Sequence, residues 1–385
     1  MKRIFSSLLI AIFCLNIVTI TKASAEGGVP EISAPSALLM DFTTGKILYE
    51  KNPDEKRPLA SVTKIMTMLI AMEEIAAGNL RLDDVVTGSA HAKSYGGSTI
   101  FLDEGEQMSV NDILKGIAVA SGNDASVALG EHISGSEGAF VERMNKRASE
   151  LGMNNTSFVN CNGLDADGHY SSARDIALMS RELMKHTLIF NYTTIWMDSL
   201  RNGDFTLSNT NKLVKFYDGC TGLKTGSTSK AGFCISATAM RDNLHLIAVI
   251  MGAETSKIRQ AEAIALLNYG FSAYSLYNAV DENQIPEYVE IQKGKSDYVR
   301  VYPEKESYYL GKKNEDVNFK TEIIVDNIIN APIKKGDVAG SVKIYCNDTE
   351  YETLSLICDE DVEKISFAFE FKKLADLWLA GIEKV

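Results

Sequence analysis

Ser61-Val62-Thr63-Lys64 places a hydroxyl and an amine three positions apart. On a helix this spacing puts both side chains on one face, and a serine at a helix start lies near free backbone N–H groups that favour negative charge. A lysine can accept the serine proton only when it is neutral, and burial or a second cation lowers its pKa toward that state. The pair therefore indicates an activated serine nucleophile. Alone the pattern is weak, because a helix-start serine followed by a solvated lysine explains most occurrences.

Two further groups strengthen this interpretation. Ser121-Gly122-Asn123 falls at a break between two apolar helical segments, where a serine can relay a proton and an asparagine can bind an amide. Lys224-Thr225-Gly226 follows later, directly before a strand-like segment. A lone K-T-G stretch would also suit a glycine-rich turn. The order S-x-x-K, S-x-N and K-T-G seldom arises by chance, so the three groups predict one site.

Strand patterns on both sides of a helical segment predict an α+β fold. Residues 36–50 read as a hairpin around a Thr-Thr-Gly turn, and residues 231–253 read as a second hairpin around Arg241-Asp242-Asn243. We expect one antiparallel sheet built from both ends of the segment, with the helical block inserted between them. Strands and helices do not alternate along the chain, which disfavours a parallel doubly wound sheet.

Capping signals locate the helices of this block. The helix that carries the first motif opens after Pro58 and stops at Gly78. Ser109 and Ser172 each stand three residues before an aspartate, a capping pattern that starts two more helices. A further helix is expected over the segment SKIRQAEAIALLNYGFSAY.

The last hundred residues have a different character. Short alternating segments over residues 281–366 predict a small β domain after a catalytic domain at 26–280. Residues 367–385 predict an amphipathic helix, and the residues of its apolar stripe are Phe367, Phe371, Leu374, Trp378, Ile382 and Val385. This stripe fits either packing on the β domain or an in-plane membrane anchor with Trp378 at the interface.

The N-terminus predicts export. A basic start, an apolar segment and Ala23-Ser24-Ala25 are typical of a signal peptide, residues 1–25, with an uncleaved anchor as the alternative. The mature chain keeps five cysteines without a C-x-x-C pair, so at least one is unpaired, and its histidines are scattered. We expect no metal site. The net charge of −12 argues against nucleic acid as a partner.

With these motifs the chain resembles the penicillin-recognising serine acyl-enzymes, and more narrowly the low-molecular-mass D-alanyl-D-alanine carboxypeptidases. Among these it is most similar to the sporulation-type enzymes of Gram-positive bacteria. The resemblance covers most of residues 30–385. The segments that carry it are LASVTKIMT, GGSTIFLDEGE, LKGIAVASGNDASVALGEHISGS, NTSF, GHYSSARD, NTNKL and GLKTGST.

The resemblance implies the catalytic roles. Ser61 attacks the carbonyl of the D-Ala-D-Ala peptide bond and forms an acyl-enzyme. Lys64 accepts the serine proton as general base. Ser121 and Lys224 relay a proton to the leaving D-alanine, and Lys224 also keeps Lys64 neutral.

The resemblance also implies a substrate-binding set: Asn123, Lys224, Thr225, Gly226, Ser227 and Arg259. Asn123 would hydrogen-bond the substrate amide, and the backbone N–H groups of Ser61 and Ser227 would form the oxyanion hole. Thr225 and Arg259 would bind the terminal carboxylate. The glycine of the K-T-G motif would let the backbone approach the ligand.

Two residues depart from simple expectations. Thr210 stands within NTNKL where some relatives carry an arginine, so carboxylate recognition rests more on Arg259 and on the K-T-G hydroxyl. Cys220 precedes the K-T-G motif, but nothing pairs it with a histidine as a thiol nucleophile requires. We interpret Cys220 as structural.

The implied partners are peptidoglycan pentapeptides as substrate and β-lactam antibiotics as covalent inhibitors, with no cofactor. The implied location is the cell envelope, either at the outer face of the cytoplasmic membrane or secreted, and the implied role is cell-wall maturation, with the spore cortex left open. A class A β-lactamase is one alternative, but it carries Ser-Asp-Asn and an E-x-x-L-N loop, which this chain lacks between Ser121 and Lys224. A non-catalytic relative is the other, although every named catalytic side chain is present.

Overall fold

The chain is seen in a computed structural model that describes residues 28–325 and 329–382. The predicted signal peptide and Val385 lie outside the described residues. The strands are β1 (Ser36–Asp41), β2 (Ile47–Lys51), β3 (Val85–Thr87), β4 (Gln107–Ser109), β5 (Met197–Leu200), β6 (Phe205–Ser208), β7 (Cys220–Thr228), β8 (Gly232–Arg241), β9 (Leu244–Ala253), β10 (Tyr274–Asn278), β11 (Tyr288–Gln292), β12 (Tyr298–Pro303), β13 (Tyr308–Lys312), β14 (Phe319–Val325), β15 (Ile329–Asn330), β16 (Val338–Cys346) and β17 (Thr349–Cys358).

Helices fill the segment between β2 and β7 and follow the last strands of each sheet. They are α1 (Lys64–Ala76), α2 (Ala90–Lys93), α3 (Val110–Ala118), α4 (Asn123–Ser134), α5 (Glu137–Glu150), α6 (Ala173–Lys185), α7 (Phe190–Thr193), α8 (Leu213–Phe216), α9 (Ser256–Ala273) and α10 (Phe367–Ile382). A 3₁₀ turn, Ala60–Thr63, leads directly into α1.

The predicted central sheet is confirmed. Its five strands run antiparallel in the order β2-β1-β9-β8-β7, so both ends of the segment contribute strands. Alternate residues of β1 face opposite layers: Leu38 packs with α1 and the helical block, whereas Leu39 packs with Leu266 and Leu267 of α9. The sheet is therefore covered on both faces, and burying a leucine of this kind contributes about 1.5–3 kcal/mol.

The two predicted helix starts are also confirmed. Ser109 Oγ accepts the Asp112 backbone N–H at 3.1 Å, and Ser172 Oγ accepts the Asp175 backbone N–H at 3.2 Å. Such a cap contributes about 1 kcal/mol by satisfying a donor that the helix leaves free. Local chemistry of this type is readable from sequence because both partners lie three residues apart.

The strand-like segment predicted after Lys224-Thr225-Gly226 is confirmed as β8, and the three residues themselves lie within the preceding strand, β7. This strand pairs with β8, with Lys224 opposite Ser236 and Gly226 opposite Cys234. Glycine and threonine are common in turns. Here the pairing with β8 and the close packing against the 3₁₀ turn stabilise a strand instead.

The C-terminal region forms a second sheet of six strands in the order β14-β16-β17-β12-β11-β15. Its interior is apolar, with Val299 and Val301 on one strand and Val342 and Leu354 on others. A separate pairing joins β10 to β13 across the predicted boundary at 280. The β domain expected from the alternating pattern is thus present, while the boundaries themselves stay a prediction.

Helix α10 presents apolar side chains to solvent. Phe367, Phe371, Leu374 and Trp378 are between 63 % and 86 % exposed, so these four do not pack on the β domain. The Nζ atom of Lys295 lies 5.6 Å from the ring centre of Phe369, another aromatic residue of this helix. Within residues 28–325 and 329–382 no helix has both the length and the hydropathy needed to cross a membrane.

Two glycines allow the backbone to pack closely around Ser61. A Cβ at Gly226 would lie 2.7 Å from Ser61 N. A Cβ at Gly163 would lie 2.0 Å from Ala60 O, and Gly163 also has a φ of +89°. Contacts this short admit no side chain, and the left-handed backbone favours glycine. These positions therefore fix the start of the helix that carries the first motif.

We expect Gly163→Ala to destabilise the protein by about 2 kcal/mol or more, because the new methyl group must displace backbone atoms of Ala60. The matched control is Gly138→Ala in α5, where nothing lies within 4 Å of the added Cβ. This control should be neutral or stabilise by about 0.5–1 kcal/mol, the usual gain for alanine in a helix. Thermal and urea unfolding measure both, and equal stabilities of the two variants would contradict the packing described.

Candidate active site

The first motif forms a close hydroxyl–amine pair. Ser61 lies in the 3₁₀ turn and Lys64 begins α1, and Lys64 Nζ lies 3.0 Å from Ser61 Oγ. Lys64 is fully buried, and Ser61 is half-buried at the edge of the site. The Ser61 hydroxyl is thus open to a ligand while the Lys64 amine is shielded from water.

Two carbonyl oxygens complete the environment of Lys64. Its Nζ donates to Asn123 Oδ1 at 2.6 Å and to the backbone carbonyl of Asn162 at 2.5 Å. A neutral amine has two N–H donors and one lone pair. The two carbonyls accept both protons, so the lone pair remains for the Ser61 hydroxyl. The geometry therefore fits a neutral lysine that can accept the serine proton.

Electrostatics support the same state. Burial lowers the pKa of Lys64 to about 7, although Cys161 and Asp124 nearby act in the opposite direction. Burial also lowers the pKa of Lys224 well below its ordinary value, and the charges of Lys64 and Arg259 lower it further. Burial is the main cause of the low pKa of Lys64, and the part that Lys224 plays in keeping Lys64 neutral stays a prediction.

The second motif meets the first through Asn123. Besides accepting from Lys64, Asn123 donates through Nδ2 to the carbonyl of Gly96 at 2.7 Å, so both ends of its amide are held. Ser121 is buried between α3 and α4 with a φ of +64°, a left-handed conformation that costs a non-glycine residue about 1–3 kcal/mol. The structure thus holds Ser121 in a backbone conformation that is rare for residues other than glycine.

The third motif lines the edge strand β7. Lys224 Nζ donates to the carbonyl of Thr225 at 2.9 Å, and Thr225 Oγ1 donates to Thr210 Oγ1 at 2.8 Å. Thr210 is the residue that replaces an arginine of some relatives, and here it contacts the K-T-G threonine directly. Ser227 lies at the exposed end of the motif.

Arg259 in the first turn of α9 reaches the same strand pair. It is 5 % exposed, and Nη1 donates to the carbonyl of Cys234, the residue opposite Gly226, at 3.5 Å. Its Nε has no hydrogen-bond partner within the described residues. Burial lowers the pKa of Arg259 to about 10, so the side chain is still a cation near neutral pH. A buried guanidinium with a free donor is suited to an anionic ligand.

His169 supports the turn that carries the nucleophile. The Val159 backbone N–H donates to Nδ1 at 3.0 Å, so the proton lies on Nε2, which is 2.8 Å from Thr63 Oγ1. Thr63 Oγ1 in turn donates to the carbonyl of Ala60 at 2.8 Å. Burial lowers the pKa of His169 to about 4, so it stays neutral and acts in positioning rather than in proton transfer.

Sequence reasoning missed the Asn162 carbonyl, although it accepts one of the two Lys64 protons. A backbone carbonyl has no side-chain signature, so only the fold reveals it. Cys220 donates through Sγ to the carbonyl of Gly222 at 3.5 Å, and burial raises the pKa of its thiol to about 11. Both observations agree with its interpretation as structural.

The fold and these contacts define a penicillin-recognising serine enzyme, with a serine nucleophile, a buried lysine and a K-T-G strand brought together. The family model described as D-alanyl-D-alanine carboxypeptidase matches residues 21–255, and the model of the penicillin-binding protein 5 C-terminal domain matches residues 274–364. The chain belongs to the D-alanyl-D-alanine carboxypeptidase family, as its motifs indicated. It is a serine-type peptidase that removes the terminal D-alanine from D-Ala-D-Ala peptides.

Three similar proteins cover between 63% and 98% of this chain. D-alanyl-D-alanine carboxypeptidase DacF of Bacillus subtilis is 44% identical over 385 residues, 98% of this chain and 99% of the relative. The crystal structure of penicillin binding protein 5 from Haemophilus influenzae superposes with a TM-score of 0.72 at 31% identity, covering 88% of this chain and 99% of that one. Penicillin-Binding Protein D2 from Listeria monocytogenes, solved in an ampicillin-bound form, has a TM-score of 0.58 at 30% identity over 63% of this chain and 100% of its own.

The lysine environment predicts a pH profile. Because the neutral form of Lys64 prevails above its pKa and is lost below it, kcat/KM for D-alanine release should rise with pH through a midpoint near 7. The rate is measured on a D-Ala-D-Ala peptide, with circular dichroism at each pH as a control for unfolding. A folded enzyme whose rate stays constant from about pH 5.5 to 8.5 would contradict a base with this pKa.

Proposed function

We propose that Ser61 is the nucleophile and Lys64 its general base. The observation that carries this proposal is the hydrogen bonding of Lys64, whose two N–H groups point to carbonyls while Ser61 Oγ lies 3.0 Å away. The serine hydroxyl loses its proton to Nζ as Oγ attacks the carbonyl carbon of the D-Ala-D-Ala bond. The tetrahedral intermediate then collapses to an ester on Ser61 when the C–N bond breaks.

The leaving D-alanine needs a proton. Ser121 and Lys224 relay to the leaving nitrogen the proton that Lys64 took from Ser61, because both are buried at the site and burial lowers the pKa of Lys224 well below its ordinary value. In the second half-reaction water attacks the ester, Lys64 accepts a proton from the water, and this proton returns to Ser61 Oγ as the ester bond breaks. The second product is the shortened peptide.

The oxyanion of each tetrahedral intermediate lies between two backbone N–H groups, those of Ser61 and Ser227. Support comes from the packing of β7 on the 3₁₀ turn, where Gly226 approaches Ser61 N too closely for any Cβ. One such donor contributes about 3–4 kcal/mol to transition-state stabilisation. Gly226 is thus needed for the approach of two chain segments and of the ligand.

Arg259, Thr225 and Thr210 bind the terminal carboxylate of the substrate. The unpartnered Nε of Arg259 and the linked hydroxyls of the two threonines offer donors beside the K-T-G strand. Asn123 contacts the substrate amide on the opposite side, since its amide group is fixed by Lys64 and Gly96. A dipeptide end with a free carboxylate is therefore selected over an internal peptide bond.

The substrate in the cell is the pentapeptide stem of peptidoglycan, and β-lactams acylate the same serine. Listeria Penicillin-Binding Protein D2 in its ampicillin-bound form supports the second statement, because it resembles 63% of this chain at 30% identity. The protein acts in the cell envelope after export, which agrees with the predicted signal peptide.

The decisive assay is release of D-alanine from a D-Ala-D-Ala peptide. We expect Ser61→Ala to abolish this release and also to abolish stable labelling by a fluorescent penicillin, because both require the same ester. His186→Ala, at the half-buried end of α6 and outside the three motifs, is a control that should retain both activities. Absence of D-alanine release by the folded wild-type enzyme would refute the assignment, and fast turnover of penicillin would favour a β-lactamase.

Helix α10 contacts the surface of the cytoplasmic membrane. Its aromatic residues Phe367, Phe371 and Trp378 are all exposed to solvent, and their stripe suits an in-plane helix. In this arrangement the β domain separates the active site from the bilayer.

Ending the chain at Ser366 should release the protein from phosphatidylglycerol–phosphatidylethanolamine vesicles without loss of D-alanine release, because the helix lies outside the site. Phe371→Glu with Leu374→Glu should release the full-length protein as well, since charges oppose insertion of the apolar stripe. Lys372→Glu on the polar face is the matched control and should weaken binding less. If the shortened chain still sediments with vesicles, α10 is not the anchor.

A further inference from the structure

Glu137, the first residue of α5, joins two chain segments outside the three motifs. Its Oε2 accepts from the Tyr95 hydroxyl at 2.6 Å and lies 2.9 Å from His91 Nε2. Its Oε1 accepts the Cys161 backbone N–H at 3.2 Å and lies 3.4 Å from the thiol of the same residue. The side chain is 11% exposed, so these contacts are largely shielded from water.

Each segment held by Glu137 supplies a backbone carbonyl to the active site. Gly96 directly follows the bound tyrosine, and its carbonyl accepts from Asn123 Nδ2 at 2.7 Å. Asn162 directly follows the bound cysteine, and its carbonyl accepts from Lys64 Nζ at 2.5 Å. Glu137 thus binds the residue directly before each of the two carbonyls, and these carbonyls orient Lys64 and Asn123.

We propose that Glu137 is a positioning residue for acylation, which holds the Gly96 and Asn162 carbonyls in place and thereby aims Lys64 and Asn123. This inference rests on the roles proposed for those two side chains. A reacting group displaced by about 1 Å can slow a reaction by about a hundredfold. Fixing both carbonyls through one buried carboxylate limits such displacement.

A simpler explanation of Glu137 is purely structural. An acidic residue in the first turn of a helix interacts with the helix dipole and stabilises the helix. That role would affect unfolding and leave the acylation step unchanged in the folded protein. The two explanations therefore predict different acylation rates for variants that are equally well folded.

The test compares Glu137→Ala with Glu137→Gln. We expect the alanine variant to be acylated by a fluorescent penicillin about 10–100 times more slowly than wild type, with a matching fall in kcat for D-alanine release. Glutamine should recover most of this loss, because its carbonyl oxygen can accept the Cys161 N–H and its amide can donate to the Tyr95 hydroxyl. Melting temperatures are recorded for every variant.

Glu131→Ala is the matched control. Glu131 Oε2 accepts from Ser89 Oγ at 2.6 Å, so it also anchors the start of α2 but makes no described contact with the Cys161 segment. The acylation rate of this variant should stay within about threefold of wild type, because the lost hydrogen bond affects the stability of the protein and not the position of the two carbonyls.

Equal acylation rates for Glu137→Ala and Glu131→Ala would overturn the inference. A loss in Glu137→Ala that follows its melting temperature and that glutamine does not recover would overturn it as well, in favour of the structural explanation. A wild-type protein that is not acylated would instead refute the proposed function, and this inference with it.

Discussion

The hydrogen bonds of Lys64 Nζ constrain the rest of the site. Two carbonyl oxygens, from Asn123 and Asn162, accept its protons at 2.6 and 2.5 Å, and the Ser61 hydroxyl is the third neighbour at 3.0 Å. A buried ammonium would need compensating charge, whereas a neutral amine is satisfied by these three groups. Because the site suits the neutral form, the lysine can act as a base near neutral pH.

Much of the catalytic domain shields Lys64 from water and holds its hydrogen-bond partners close to it. Helix α1 lies against the central sheet, which buries Lys64 completely, and α9 covers the opposite face of the sheet. Gly163 and Gly226 allow two further segments to press against the turn at Ser61. Side chains at either position would separate the nucleophile from the K-T-G strand. The burial of Lys64 and the close packing around Ser61 consequently both favour the proposed proton transfer between these two residues.

Sequence reasoning recovered the features that depend on local spacing. Ser61 with Lys64 and the caps at Ser109 and Ser172 were predicted because their partners stand three residues apart. The sheet was predicted because its apolar segments alternate. The K-T-G segment was not predicted to be part of a strand itself, because its pairing with β8 depends on tertiary contacts.

The parts that could not be predicted involve backbone atoms or distant partners. The carbonyls of Gly96 and Asn162 have no side-chain signature, and their approach to the site follows only from the folded chain. Glu137 looks in the sequence like an ordinary acidic residue at a helix start. Its contacts with Tyr95 and Cys161 join segments far apart in the sequence.

The central claim is that burial lowers the pKa of Lys64 to about 7, so that a large fraction of the side chain is neutral in the folded enzyme near neutral pH. NMR titration of lysine side chains labelled with ¹³C at Cε and ¹⁵N at Nζ tests it most directly, with Lys64→Arg used to assign the signal. The account predicts a Lys64 resonance that titrates at about 7, because burial disfavours the charged form. A Lys64 resonance that titrates at its ordinary value of 10.5 in the folded protein would contradict the account.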